Sequence, residues 1–104
     1  MPQFLYVYHG GGKPETPEDG AKAMAAWQAW MGGMGDALTT PGAPVGLSKT
    51  VTGAGVTGNG GANPASGYSV VAADDLETAC EMAKGCPLVV DGSGSVEIAE
   101  IIEM

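Results

Sequence analysis

A single histidine, His9, closes an aromatic-rich run and stands just before Gly10-Gly11-Gly12. An imidazole titrates near neutrality, at about pH 6.5 when unperturbed, so His9 is the natural proton shuttle of this chain. Asp36, in the turn after the first helical stretch, is the carboxylate that can orient it if the fold brings the two together. A lone histidine at a strand end also serves as a hydrogen-bonded or interface residue, and both readings stand at this point. Ser48, Lys49 and Thr50 set a hydroxyl, an ammonium and a second hydroxyl side by side. Such a trio can grip a carboxylate or phosphate in a cleft, or supply the polar edge that keeps a strand from aggregating. Tyr6, Tyr8 and Tyr68 are candidates to line a pocket, or to pack within a sheet.

Other patterns carry less chemistry. Gly53-Ala54-Gly55-Val56-Thr57-Gly58 has the letters of a dinucleotide fingerprint, but that motif must open a helix whose N-terminus faces the pyrophosphate. Asn59-Gly60-Gly61 follows and starts no helix, so no nucleotide and no other cofactor is expected. Cys80 and Cys86 lack zinc-ligand or CxxC spacing and read as two reduced thiols. Asp74 and Asp75 are accounted for by helix capping, and no metal-spaced acid cluster is present.

The elements that position these residues follow from pattern. Phe4 to His9 has strand character. Thr16-Pro17-Glu18-Asp19 starts a helix with a hydroxyl cap, proline in the first turn and acids at its positive end. Met24, Trp27, Met31 and Met34 recur at helical spacing; a cofactor box is conceivable there, but such a stripe reads as core. Gly32, Gly33 and Gly35 end the helix near Met34. After Pro41-Gly42-Ala43-Pro44 a second strand is expected over Val45 to Val51. A glycine-rich tip, Gly53 to Gly67, then turns at Asn59-Gly60 into a third strand, Tyr68 to Ala72. A second helix is capped by Asp74, with Glu77 three residues on, and buries Leu76, Ala79, Cys80 and Ala83. Gly85 caps its end and Pro87 stops it. Ser95 to Ile102 forms the closing strand. The order is β-α-β-β-α-β, a ferredoxin-like α+β arrangement in one domain, residues 1–104.

Composition narrows the partners. Twelve acidic residues against four lysines give a formal charge of −8, which repels phosphate backbones and anionic membrane surfaces. No apolar run reaches bilayer length, and Met1-Pro2-Gln3-Phe4-Leu5 has no basic leader. A cytoplasmic protein that binds neither nucleic acid nor membrane is expected. Both helices of this topology cross one face of the sheet, so the other face should alternate to polar residues. It does not. Phe4, Tyr6 and Tyr8 alternate with Leu5, Val7 and His9, and Val96, Ile98 and Ile102 alternate with Ala99 and Ile101. An apolar second face is covered most economically by a second copy, so a homodimer with facing sheets is expected.

The opening strand, the helix with Trp27 and Trp30, and Gly35-Asp36-Ala37-Leu38 leading to Pro41-Gly42-Ala43-Pro44 carry a family likeness. Gly67-Tyr68-Ser69-Val70-Val71, Leu76 through Pro87, and Gly94-Ser95-Val96-Glu97-Ile98-Ala99-Glu100-Ile101 complete it. Over nearly its whole length the chain resembles the YCII-related (YciI-like) family, close to its DGPF-type relatives. That resemblance implies a dimeric α+β barrel and little about activity, since few relatives are known enzymes, a dehydrochlorinase among them. Two features depart from the family pattern. The helix from Ala21 to Met34 holds no histidine, so the family's His–Asp dyad does not carry over. The DGPF tetrapeptide is replaced by Asn59-Gly60-Gly61-Ala62-Asn63-Pro64.

Three functions follow from these residues. One is a dimeric module binding a small organic ligand. The second is an isomerase- or lyase-type enzyme in which His9 moves a proton with Lys49 or Asp36 assisting. The third is a structural or partner-binding dimer.

Overall fold

The computed structural model describes residues 1–11, 15–58 and 64–103. Strand β1 (Gln3–Gly10) leads into helix α1 (Pro17–Met34), a single 3-10 turn (Gly35–Ala37) and strand β2 (Leu38–Pro44). Two short strands, β3 (Lys49–Thr52) and β4 (Gly55–Gly58), precede β5 (Ala65–Ala72). Helix α2 (Leu76–Ala83), the one-turn helix α3 (Pro87–Val90) and strand β6 (Gly94–Glu100) complete the order. Four strands form an antiparallel sheet in the order β2-β5-β1-β6, while β3 and β4 pair with each other in a separate two-stranded ribbon. With the ribbon and α3 set aside, this is the expected ferredoxin-like α+β fold.

Alternation along β1 decides which face is the core. Phe4, Tyr6 and Tyr8 are buried on the helix side with Val71, Ala79, Ala83, Cys86 and Leu88. Trp27, Trp30 and Met34 of α1 pack over them, with Val96 and Ile98 of β6 closing the flank. The tyrosine and tryptophan rings form one cluster: Tyr6 stacks on Trp30 at 6.1 Å, and Tyr8 meets Trp27 edge-on at 4.9 Å. Such ring pairs add to the burial of apolar area. Leu5, Val7 and Val70 occupy the opposite face and are only half-buried, and Ala99 beside Leu5 is exposed. Among the described residues no helix is long and apolar enough to cross a membrane.

The caps follow local chemistry. Thr16 accepts the Asp19 N–H through its hydroxyl at 3.1 Å, and Pro17 fills the first turn. Gly35 ends α1 with φ +56°. At α2 the cap is Asp75, not Asp74: its carboxylate accepts the Thr78 N–H at 2.8 Å, which holds its pKa below the usual aspartate value. Leu76, expected in the buried face, is exposed, and Cys80 is half-buried. Gly85 is not a left-handed cap, since Lys84 holds that place in α-helical conformation. Its lack of a side chain serves packing instead. A Cβ there would lie 3.0 Å from Cδ1 of Trp30, whose indole N–H donates to the Met82 carbonyl at 3.0 Å.

The second sheet strand runs over Leu38–Pro44 and not over Val45 to Val51. The two prolines that suggested a break are tolerated because β2 is an edge strand and can lack ladder donors. Gly42, with φ +75°, makes the irregular register possible: a Cβ there would fall 1.8 Å from the Tyr68 carbonyl oxygen. Of the residues expected in that strand, Lys49 to Val51 enter the β3–β4 ribbon, which turns at Gly53-Ala54 between paired Thr52 and Gly55, and Val45 to Ser48 form the connection before it. Asn59-Gly60, the expected turn, lies outside the described residues. The antiparallel pairing of the second and third sheet strands is present as expected. At the other end of the chain β6 stops at Glu100, so Ile101 and Ile102 lie past it, with the Ile101 N–H still donating to the Gln3 carbonyl.

Candidate functional site

Between α1 and the β2–β5 edge of the sheet lies a half-open cavity of about 510 Å³. That volume suits a small organic molecule. Gly20, Met24, Trp27 and Met31 form its helix wall, Pro41 to Pro44 its outer rim, and Tyr8, Ser66, Gly67 and Tyr68 its floor. None of these side chains carries a charge. Residues at positions 20, 24, 27 and 31 of a helix share one face, so α1 delivers its wall as a continuous stripe. Two methionines in that stripe give a surface that adjusts to the shape of an apolar guest. Met24 is 64% exposed, so this part of the Met–Trp stripe is not the buried core that its spacing suggested. The glycines matter by omission. At Gly67 a Cβ would press within 3.3 Å of the Tyr8 ring and 3.2 Å of the Ala43 carbonyl.

The wall is braced by a chain of hydrogen bonds across three strands. The Tyr8 hydroxyl donates to Ser69 Oγ at 2.8 Å, and Ser69 donates to the Pro41 carbonyl at 2.7 Å. Ser69 is fully buried, so the bond it accepts from Tyr8 forms away from water, while the one it donates to Pro41 lies nearer the surface. Burial pushes the Tyr8 phenol up to about 12 despite the opposing bond from Ser69. Tyr8 therefore stays neutral at physiological pH. Tyr6 lies in the core beside it, its hydroxyl donating to the Ala79 carbonyl, and burial raises its pKa as well.

The sequence candidates distribute unevenly around this cavity. Tyr8 and Tyr68 both border it, but Tyr68 pairs with Val7 and shares the opposite sheet face, so of the two rings it is that of Tyr8 that lies under α1. Tyr6, His9, Asp36, Ser48 and Lys49 are not among its lining residues. Asp36 sits in the exposed 3-10 turn, and Ser48 and Lys49 stand at the entry to the β3–β4 ribbon. His9 shares the face of Leu5 and Val7, where its Nε2 lies 3.0 Å from the Glu97 carboxylate and its Nδ1 3.2 Å from the Pro64 carbonyl. Both of those partners are acceptors, so the ring bonds both at once only with a proton on each nitrogen. Cys86 is buried and its thiol pKa is raised by desolvation, the opposite of an activated nucleophile. Among the described residues no group of three or more His, Cys, Asp or Glu side chains is placed to hold a metal ion.

Sequence reasoning passed over Gly20, Ser66, Gly67 and the Pro41–Pro44 rim as site residues. It noted the Met24–Trp27–Met31 stripe but assigned it to packing.

No protein-family model matches the chain, and no curated protein sequence does. Among solved structures the fold is similar to 5-chloro-2-hydroxyhydroquinone dehydrochlorinase (TftG) from Burkholderia phenoliruptrix AC1100, determined in complex with 2,5-dihydroxybenzoquinone. The two align over 96% of this chain and 95% of that one, with a TM-score of 0.57 and 13% identity. At that identity the likeness is one of fold.

Proposed function

We propose that this chain is a YCII-related protein, close to DGPF-type relatives, whose single domain pairs into a homodimer and binds a small, neutral, ring-containing organic molecule in the cavity beneath α1. The uncharged, aromatic and methionine-rich lining carries this reading. A buried charge on a guest would find no counter-charge among the described lining residues, whereas a flat apolar ring would meet Trp27 and Tyr8. The ligand of the dehydrochlorinase of like fold, a dihydroxylated quinone ring, is of this size and supports a small ring compound without fixing its charge or identity. The half-buried open face of the sheet, with Leu5, Val7 and Val70, supports the homodimer.

Binding without turnover is the favoured form, because the described residues of the cavity wall offer no group that exchanges a proton near neutrality: the buried phenol among them is held at about 12. An isomerase- or lyase-type activity would depend on His9, which has the Glu97 carboxylate at its Nε2 and could act as general acid. Titration calorimetry with a panel of neutral ring compounds, hydroquinone and simple phenols among them, tests the binding reading. At least one member should bind to the parent, and Met24→Glu, a change at an exposed helix position, should weaken it at least tenfold. Equal affinity in the two proteins would remove the cavity from consideration.

A further inference from the structure

The β3–β4 ribbon is a segment that the cavity does not use. Seven of its eight residues are exposed. Val51 and Val56 sit directly opposite each other across the ribbon, 74% and 62% exposed, and Leu47 at its base is wholly exposed. An isolated two-stranded ribbon is marginal in water and needs a hydrophobic face packed on something else. A cross-strand valine pair supplies such a face, and among the described residues nothing covers it.

Charge says what should cover it. All twelve acidic residues lie in 1–36 and 74–104, while the stretch 37–73 holds one charged residue, Lys49, at the start of the ribbon. The molecule is thus an acidic body with an acid-free, weakly basic arm. Two chains of charge −8 repel each other. An acid-free arm with a lysine at its base is complementary to such a body, and a two-fold dimer would use the contact twice. We infer that the β3–β4 ribbon of one protomer clasps the acidic body of a second copy of the chain, Val51 and Val56 packing against it and Lys49 facing its carboxylates. The inference rests on the homodimer reading and adds to it an arm outside the sheet faces.

Sedimentation velocity over a dilution series, at low and high salt, tests it on the full chain. Lys49→Glu and the double variant Val51→Ser with Val56→Ser are compared with the parent, and near-ultraviolet circular dichroism of Trp27 and Trp30 reports that each remains folded. Salt screens the repulsion between the bodies and the attraction of the arm alike, so the parent's dissociation constant should rise with salt relative to that of Lys49→Glu. Each variant should raise the dimer dissociation constant at least tenfold at low salt. A dimeric parent with equally dimeric variants overturns the arm and leaves the homodimer intact. A monomeric parent overturns both. A double variant that is unfolded leaves Lys49→Glu to decide, at a position that is exposed and outside the core.

Discussion

Tyr8 shows how one side chain serves both the core and the site. Its ring is a floor of the cavity and an edge-on partner of Trp27, and its hydroxyl starts the chain through Ser69 to Pro41. Burial raises its pKa from 10.0 to about 12, so the neutral phenol is the form the fold prefers. A raised folded-state value means the contribution is complete below about pH 10 and is lost as pH rises through 12. The urea midpoint of the parent should therefore fall between pH 8 and pH 11.5. Tyr8→Phe should start lower at pH 8 by about 1 kcal/mol for the lost hydrogen bond but decline less over the same interval. Parallel declines in the two proteins would mean that Tyr8 does not feel this burial. His9 illustrates the complementary case. Its chemistry was visible in the sequence, but its placement beside Glu97 on the open face depends on which parity of β1 the helices cover, and pairing with β6 settles that only in three dimensions.

Among the elements, β2 depends on one glycine. Gly42 holds φ +75° and sits where any side chain would run into the Tyr68 carbonyl, so Gly42→Ala should cost about 2 kcal/mol or more. In a domain of this size that lowers the melting temperature by roughly 10 °C. Gly46→Ala, where a Cβ meets nothing within 4 Å, is the control and should melt near the parent. Equal melting of both variants would mean that β2 is not pinned at Gly42. The same strand marks the limit of sequence reading. Helix α1 was legible from Thr16, Pro17 and the closing glycines, and β1 and β6 from their aromatic and branched residues, because these signals are local. Pro41 and Pro44 look like breakers in isolation, and only an edge position in the sheet makes them compatible with a strand. The cavity wall was half legible. The Met24–Trp27–Met31 stripe marks an apolar helix face, but whether such a face meets core or empty space depends on how high α1 rides over the sheet, and Trp27, Trp30 and the aromatic rings of β1 set that height.

The whole molecule is thin and extended, 44 × 42 × 19 Å, with a radius of gyration of 14.7 Å against about 13 Å for a compact domain of this length. One covered sheet face and one uncovered face with a projecting ribbon fit that shape. If the uncovered face meets a second copy, Leu5→Glu, which puts a charge between Val70 and Ala99, should yield a folded monomer at concentrations where the parent sediments as a dimer. A variant that sediments with the parent would place the dimer contact elsewhere. The claim on which the functional reading turns is narrower: a neutral ring compound occupies the cavity under α1. Methyl-labelled methionine spectra test it most directly, because Met24 and Met31 line the cavity while Met1 and Met82 do not. Titration with a ring compound that binds by calorimetry should shift the Met24 and Met31 methyl resonances saturably, with Met1 and Met82 nearly unmoved. Saturable shifts confined to Met1 or Met82, with Met24 and Met31 unchanged, would contradict it.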